Sequence, residues 1–152
     1  MTPAQAASLV TAINADGTLS ALAAANGFPQ IAAAMNAASS PAISIWRSDL
    51  PSTAALTALL AADMPATSGL IGYVQLLLSV PAIDATSANV RTSFSSCFAG
   101  KTTLTNLTVL AQRTATRFEA LSDFITAASP ANVSSAYGYI VTADDVQKAL
   151  GK

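Results

Sequence analysis

Residues 111–123 read AQRTATRFEALSD, and whether they are helical decides the architecture of the C-terminal half. Placed on a helix running from about Thr103 to Ala128, the residues Leu104, Leu107, Leu110, Thr114, Phe118, Leu121 and Ile125 fall on one broad stripe, as a core-facing helix requires. The charges sit badly on that helix. Arg113 and Arg117 are a like-charged i,i+4 pair, Glu119 and Asp123 are another, and no opposite charge lies three or four residues from any of them. Each such pair costs an isolated helix about 0.2–0.5 kcal/mol. On the helical reading Arg117 borders the core stripe, with Arg113 a little further round, while Glu119 and Asp123 look outward. Partners for these charges must then come from another segment, such as Asp49, or from another subunit. Alternatively, the arginines lay their stems over apolar surface and keep their heads in water.

Working outward, Ala-rich stretches punctuated by Pro, Gly and Ser/Thr predict further helices. A first spans 3–15, with Leu9, Val10 and Ile13 on one face and Gly17 as its left-handed stop. Thr18 caps a second at 19–25, ended by Gly27, and Pro29 opens a third at 29–38. Residues 39–52, SSPAISIWRSDLPS, break the pattern: Ile43 and Ile45 alternate with Ser44 and Trp46 between Pro41 and Pro51, which reads as an extended arm. Helices follow at 53–62, capped by Ser52, at 67–79, and from Asp84 or Thr86 to Ala99, with Gly100 as the stop. Residues 131–141 read as irregular, with a short extended piece at 139–141. Thr142 and Asp145 form a capping-box pattern for a last helix over 143–150. The expectation is an all-α fold: one domain over 1–152, a compact Ala-rich bundle of about six to eight helices with a Pro-bounded arm near 39–51.

Composition bounds the function. The 152 residues include 34 alanines, only 10% are charged, and net charge is −1. That is well below the usual quarter of charged residues. There is no basic footprint for nucleic acid, so no specific nucleic-acid binding is expected. The longest charge-free apolar-rich run has LIGYVQLLLSV as its kernel between Pro65 and Pro81, shorter than the ~20 apolar residues of a span, so a buried helix is expected and no membrane partner. The N-terminus lacks the basic and apolar regions of a secretion signal. A surface so poor in charge repels its neighbours weakly and suits a chain that lives in an assembly.

Reactive constellations are missing. There is no histidine, which removes the commonest general base and metal ligand. The single Cys97 lies between Phe94 and Phe98 and reads as a small buried hydrophobe. FAGKTT, 98–103, has the end of a phosphate-binding loop, but serine stands at 95 where glycine is needed and a helix precedes it. The carboxylates stand mostly at helix starts and turns, where capping explains them. No catalytic residue, cofactor or metal is expected, and the chain reads as a non-enzyme. The candidate interaction residues are Trp46, Arg47, Asp49, Arg113, Arg117, Glu119 and Asp123. Trp46 and Arg47 stand on the arm and are of the types that favour interface hot spots, although a core anchor is the plainer role for Trp46.

Four stretches carry a resemblance: SPAISIWRSDLP (40–51), ANVRTSFSSCFAG (88–100), QRTATRFEAL (112–121) and YGYIVTADDVQKAL (137–150). In this order and spacing they resemble a group of small virion-associated structural proteins of tailed bacteriophages and prophages. That group shows SPA-x-x-VWR, then an Arg followed at a distance by Phe-Gly, then ATRAE-x-LF, then G-x-(I/L)-(S/T)-x-x-DV. Phe118 stands where the group often has alanine, Leu121-Ser122-Asp123 replaces a Leu-Phe pair, and a following Gly-Thr-Gly is missing. The resemblance implies a non-enzymatic particle protein, made in the host cytoplasm and located in the virion. The expected role is a neck or head–tail connector, or a tail-region subunit. Its expected partners are copies of itself in a homo-oligomeric ring and other virion proteins. Alternatives are a head decoration subunit, a baseplate or fibre-associated subunit, and a non-virion helical assembly or binding factor.

Overall fold

The computed structural model describes residues 1–121, 124–126, 133–134 and 136–152, with the backbone alone at Thr126 and Val133. Among them, eight α-helices alternate with short strands: α1 (Pro3–Ala15), α2 (Gly17–Ala24), α3 (Phe28–Asn36), β1 (Ser44–Trp46), β2 (Leu50–Pro51), α4 (Ser52–Ala58), α5 (Ser68–Leu78), β3 (Ala82–Ile83), α6 (Ala88–Phe98), α7 (Thr102–Leu110), β4 (Gln112–Thr114), β5 (Ile125–Thr126), β6 (Val133–Ser134) and α8 (Ala143–Ala149). The strands pair as β1 with β4, β2 with β3 and β5 with β6. The protein is therefore mostly helical, and all-α describes it only in outline.

The chain divides into two compact units, residues 1–45 with 114–152, and residues 46–113. The first is discontinuous in sequence, so no linker composition marks the boundary.

In the first unit, α1, α2, α3 and α8 pack together. Local chemistry sets their ends. Thr2 and Gln5 form a capping box at α1, with Pro3 in its first turn. Asp16, rather than Thr18, caps α2 by accepting from the Thr18 and Leu19 N–H groups at 2.9 and 3.1 Å. Asn26, not Gly27, takes the left-handed conformation after α2, at φ 57°. Thr142 and Asp145 form the expected capping box of α8. Leu9, Ile13, Leu19, Ile31, Met35, Phe118, Phe124, Val141 and Val146 are buried in one core. Phe118 lies 5.1 Å from Phe124 and 5.7 Å from Tyr139, ring centre to ring centre.

In the second unit, α4 packs on α5 and α7, and α6 on α7. Phe94, Phe98, Leu107, Val74, Leu50 and Ile83 are buried. Gly100 follows α6 with φ 69°, the helix stop that its position predicts. Ser52 does not cap α4: it lies within the helix, its N–H and hydroxyl donating to Pro81 O and Val80 O.

The long helix over 103–128 does not form. α7 stops at Leu110, and the following backbone bonds to residues 35–47 instead. Arg47 N–H donates to Ala111 O at 2.9 Å, Ala115 N–H to Ile43 O at 2.8 Å, Ser39 N–H to Ala115 O at 2.9 Å, Arg117 N–H to Ala37 O at 2.7 Å and Phe118 N–H to Met35 O at 2.9 Å. The arm is extended as predicted, but it is the partner in this ladder, not a free arm. Its Ile45 is fully buried and Trp46 is 3% exposed.

Candidate functional site

Thr116 and Glu119 are three residues apart, the spacing of a capping box. Glu119 Oε2 accepts from Thr116 N–H at 2.9 Å, and Thr116 Oγ1 accepts from Glu119 N–H at 3.1 Å. The box closes one helix-like turn, with Ala120 N–H donating to Thr116 O at 3.0 Å. The other carboxylate oxygen, Oε1, accepts from Gly138 N–H at 2.6 Å, and Ser134 Oγ donates to Glu119 O at 2.9 Å. Glu119 is 1% exposed. The outward-facing position expected for it on a long helix is thus incorrect: once the chain turns at 116–121, the same residue points inward and bonds to Ser134 and Gly138. Gly138 itself sits at φ 71°, the left-handed region that a side chain disfavours.

Arg117 reaches 101 residues back in sequence to Asp16, and the two form an ion pair. The guanidinium holds the Asp16 carboxyl below its ordinary value, helped by the N–H bonds of Leu19 and Thr18. Asp16 therefore caps α2 and anchors the 116–121 turn at once. Nearby, Asn36 and Val141 exchange two bonds, Nδ2 to Val141 O at 2.8 Å and Val141 N–H to Oδ1 at 2.9 Å, as a strand neighbour would. Tyr139 O–H donates to Asp145 Oδ1 at 2.9 Å. Burial pushes the Asp145 carboxyl up, but the bonds from Thr142 and Tyr139 outweigh it and leave the group below its usual value.

In the second unit, Arg91 joins the arm's tryptophan to the start of α6. Its Nη1 donates to Ala85 O at 2.9 Å and Thr86 O at 2.6 Å, and its guanidinium lies 5.4 Å from the Trp46 ring centre. Trp46 is a core anchor here; a ring so buried offers nothing to a docking neighbour. Its indole N–H is buried without a hydrogen-bond partner. Arg47 pairs with Asp49 at 2.8 Å on the surface. Arg113 is half-buried on β4. Asp123 lies outside the described residues.

Of the predicted residues, the structure brings together Arg117 and Glu119 on one turn, and Arg47 and Asp49 on the arm. Sequence reading missed Asp16, Asn36, Gly138 and Arg91. The Thr116-x-x-Glu119 pattern was available as a signal, being the same box read correctly at Thr142–Asp145. Nothing in the sequence marks Asp16 as a partner of Arg117.

These networks consist of caps, ion pairs and core contacts. Among the described residues, no group of three or more His, Cys, Asp or Glu is placed to hold a metal ion, and no helix is long and apolar enough to cross a membrane. Cys97 is 8% exposed, and burial pushes its thiol up, away from the reactive thiolate. A cavity of about 250 Å³ is lined by Met1, Ala6, Asp145, Lys148 and Ala149. Its only carboxylate already accepts from Thr142 and Tyr139.

The chain matches no protein-family model, no curated protein and no solved structure.

Proposed function

We propose that this chain is a non-enzymatic structural subunit of a tailed-phage particle, in the neck or tail region, which assembles with copies of itself into a ring. The reading starts from the four sequence stretches that resemble virion-associated phage proteins. One structural observation supports it: the polar residues of those stretches are used to hold the chain together. Glu119 of ATRFE clamps Gly138 of the closing YGYIVTADDV stretch. Arg91 of ANVRTSF lies over Trp46 of SPAISIWR. Ala115 and Ile43 join ATRFE to SPAIS. Residues in such roles determine shape, and shape is what a particle subunit contributes.

The test is mass spectrometry of purified particles from a host carrying this gene, followed by imaging of particles bearing a tagged copy. Stoichiometric presence at the neck or tail supports the reading. Label on the head surface or at the baseplate would move the subunit to those alternatives. Absence from mature particles would overturn the virion role and leave an assembly factor.

A further inference from the structure

We infer that α5, with the adjoining surface of α4, is the face on which a second copy of this chain docks. The inference deepens the self-assembling reading above and rests on it. Its first ground is a helix whose burial does not match its sequence. α5 reads SGLIGYVQLLL, with large aliphatic residues on every side, yet among these only Val74 is buried. A helix apolar all round is normally enclosed. Leu76 is 63% exposed and Val80, just beyond the helix, 41%. The bonds of Ser52 to Val80 O and Pro81 O fix this end of α5 against the first turn of α4, one turn from Leu56, which is 58% exposed. Among the described residues, five of the seven exposed large apolar side chains, Leu56, Leu60, Met64, Leu76 and Val80, fall within 56–80.

Charge selects the occupant. No Lys or Arg occurs between Arg47 and Arg91, and no charged residue between Asp63 and Asp84. Lys101, from the turn before α7, lies near Asp63 and the two charges offset each other, so an anionic bilayer or a nucleic acid would find little net positive charge here. The 11-residue helix, about 16 Å long, is half the thickness of a bilayer core. A basic partner would look for free carboxylates, but Asp49 pairs with Arg47 and Asp63 has Lys101 near it. A neutral apolar face meets a second copy without like-charge repulsion, whether the copies pair about a two-fold or stand head to tail in a ring.

The experiment is sedimentation velocity and native mass spectrometry of the full chain over a concentration series. The parent is compared with Leu76→Glu, Leu56→Glu and, as a control in the other unit, Ile140→Glu, which replaces a side chain 72% exposed. Circular dichroism checks the fold of each, and Leu76→Gln replaces any glutamate variant that fails to fold. The expected result is an oligomeric parent, association weakened at least tenfold by the changes at 76 and 56, and an Ile140→Glu variant that associates like the parent. A parent that stays monomeric throughout, or a folded Leu76 variant that associates as the parent does, overturns the inference. Particle composition is read separately: a monomeric chain found in particles would sink this interface and leave the virion role standing. An oligomer dispersed by Leu76→Glu but absent from particles would do the reverse.

Discussion

Replacing Glu119 separates the observed turn from a continuous helix. Glu119 is 1% exposed, and its carboxylate accepts from Thr116 N–H at 2.9 Å and Gly138 N–H at 2.6 Å. Hydrogen bonds to a charged group contribute about 1.5–3 kcal/mol each. Glu119→Gln keeps one acceptor oxygen and turns an NH₂ toward the other N–H, so it should cost about 1.5–3 kcal/mol. Glu119→Ala loses both bonds, at most about 3–6 kcal/mol, less what water returns to the half-buried Thr116 and the exposed Gly138. Against a total stability of about 5–15 kcal/mol, the alanine variant brings the fold close to its limit. At about 2–4 °C per kcal/mol for a chain of this size, the glutamine variant should melt roughly 3–12 °C below the parent. Thermal and urea melts followed by circular dichroism measure this. A double-mutant cycle with Thr116→Ala should add a coupling of about 0.5–3 kcal/mol, since the two side chains share one box. On a continuous helix Glu119 would be a solvent-facing residue, and its replacement would stay within about 0.5 kcal/mol. If both variants melt within a degree of the parent, the clamp is wrong and the helix returns.

Arg117→Ala should lower the melting temperature at pH 7, and the deficit should shrink in acid. Because Arg117 depresses the Asp16 carboxyl in the folded state, its stabilisation is complete above the unfolded value near 4 and is lost as pH falls through the folded one; a deficit equal at pH 7 and pH 3 would rule this out. Arg91→Ala should cost about 2–4 kcal/mol, from two carbonyl bonds and the contact with Trp46, and should shift the Trp46 emission to the red. An unchanged spectrum and melt would contradict the contact. Gly72→Ala should stabilise the chain by about 0.5–1 kcal/mol, because Gly72 lies inside α5 and a Cβ there meets no atom within 4 Å. A lower melting temperature would show that the space is filled.

Elements whose ends are set by neighbouring residues could be read directly. The bounds 3–15 of α1 coincide with the prediction, although Gly17 opens α2 and is not the left-handed stop expected there, and the Thr142–Asp145 box placed α8 to within a residue. The extended arm was legible from Ile43 and Ile45 alternating between prolines, because a period of two and a missing N–H are properties of the chain itself. The absence of histidine was equally plain.

The failure at 111–123 has a physical reason that the same residues had already signalled. The apolar stripe from Leu104 to Ile125 fits a helix, but the like-charged pairs at 113/117 and 119/123 oppose it by only a few tenths of a kcal/mol each. Margins that small are settled by tertiary bonds. Backbone groups of 111–118 that would have closed helical turns bond to residues 35–47 instead, and Glu119 finds Gly138. The capping box at Thr142–Asp145, the extended arm and the helical majority were legible in the sequence, because each depends on residues within a few positions of one another. The pairing of Arg117 with Asp16, the burial of Glu119 against Gly138 and the place of Trp46 beneath Arg91 come from long-range packing. These contacts join residues 101, 19 and 45 positions apart, and no local propensity encodes a choice of partner at that distance.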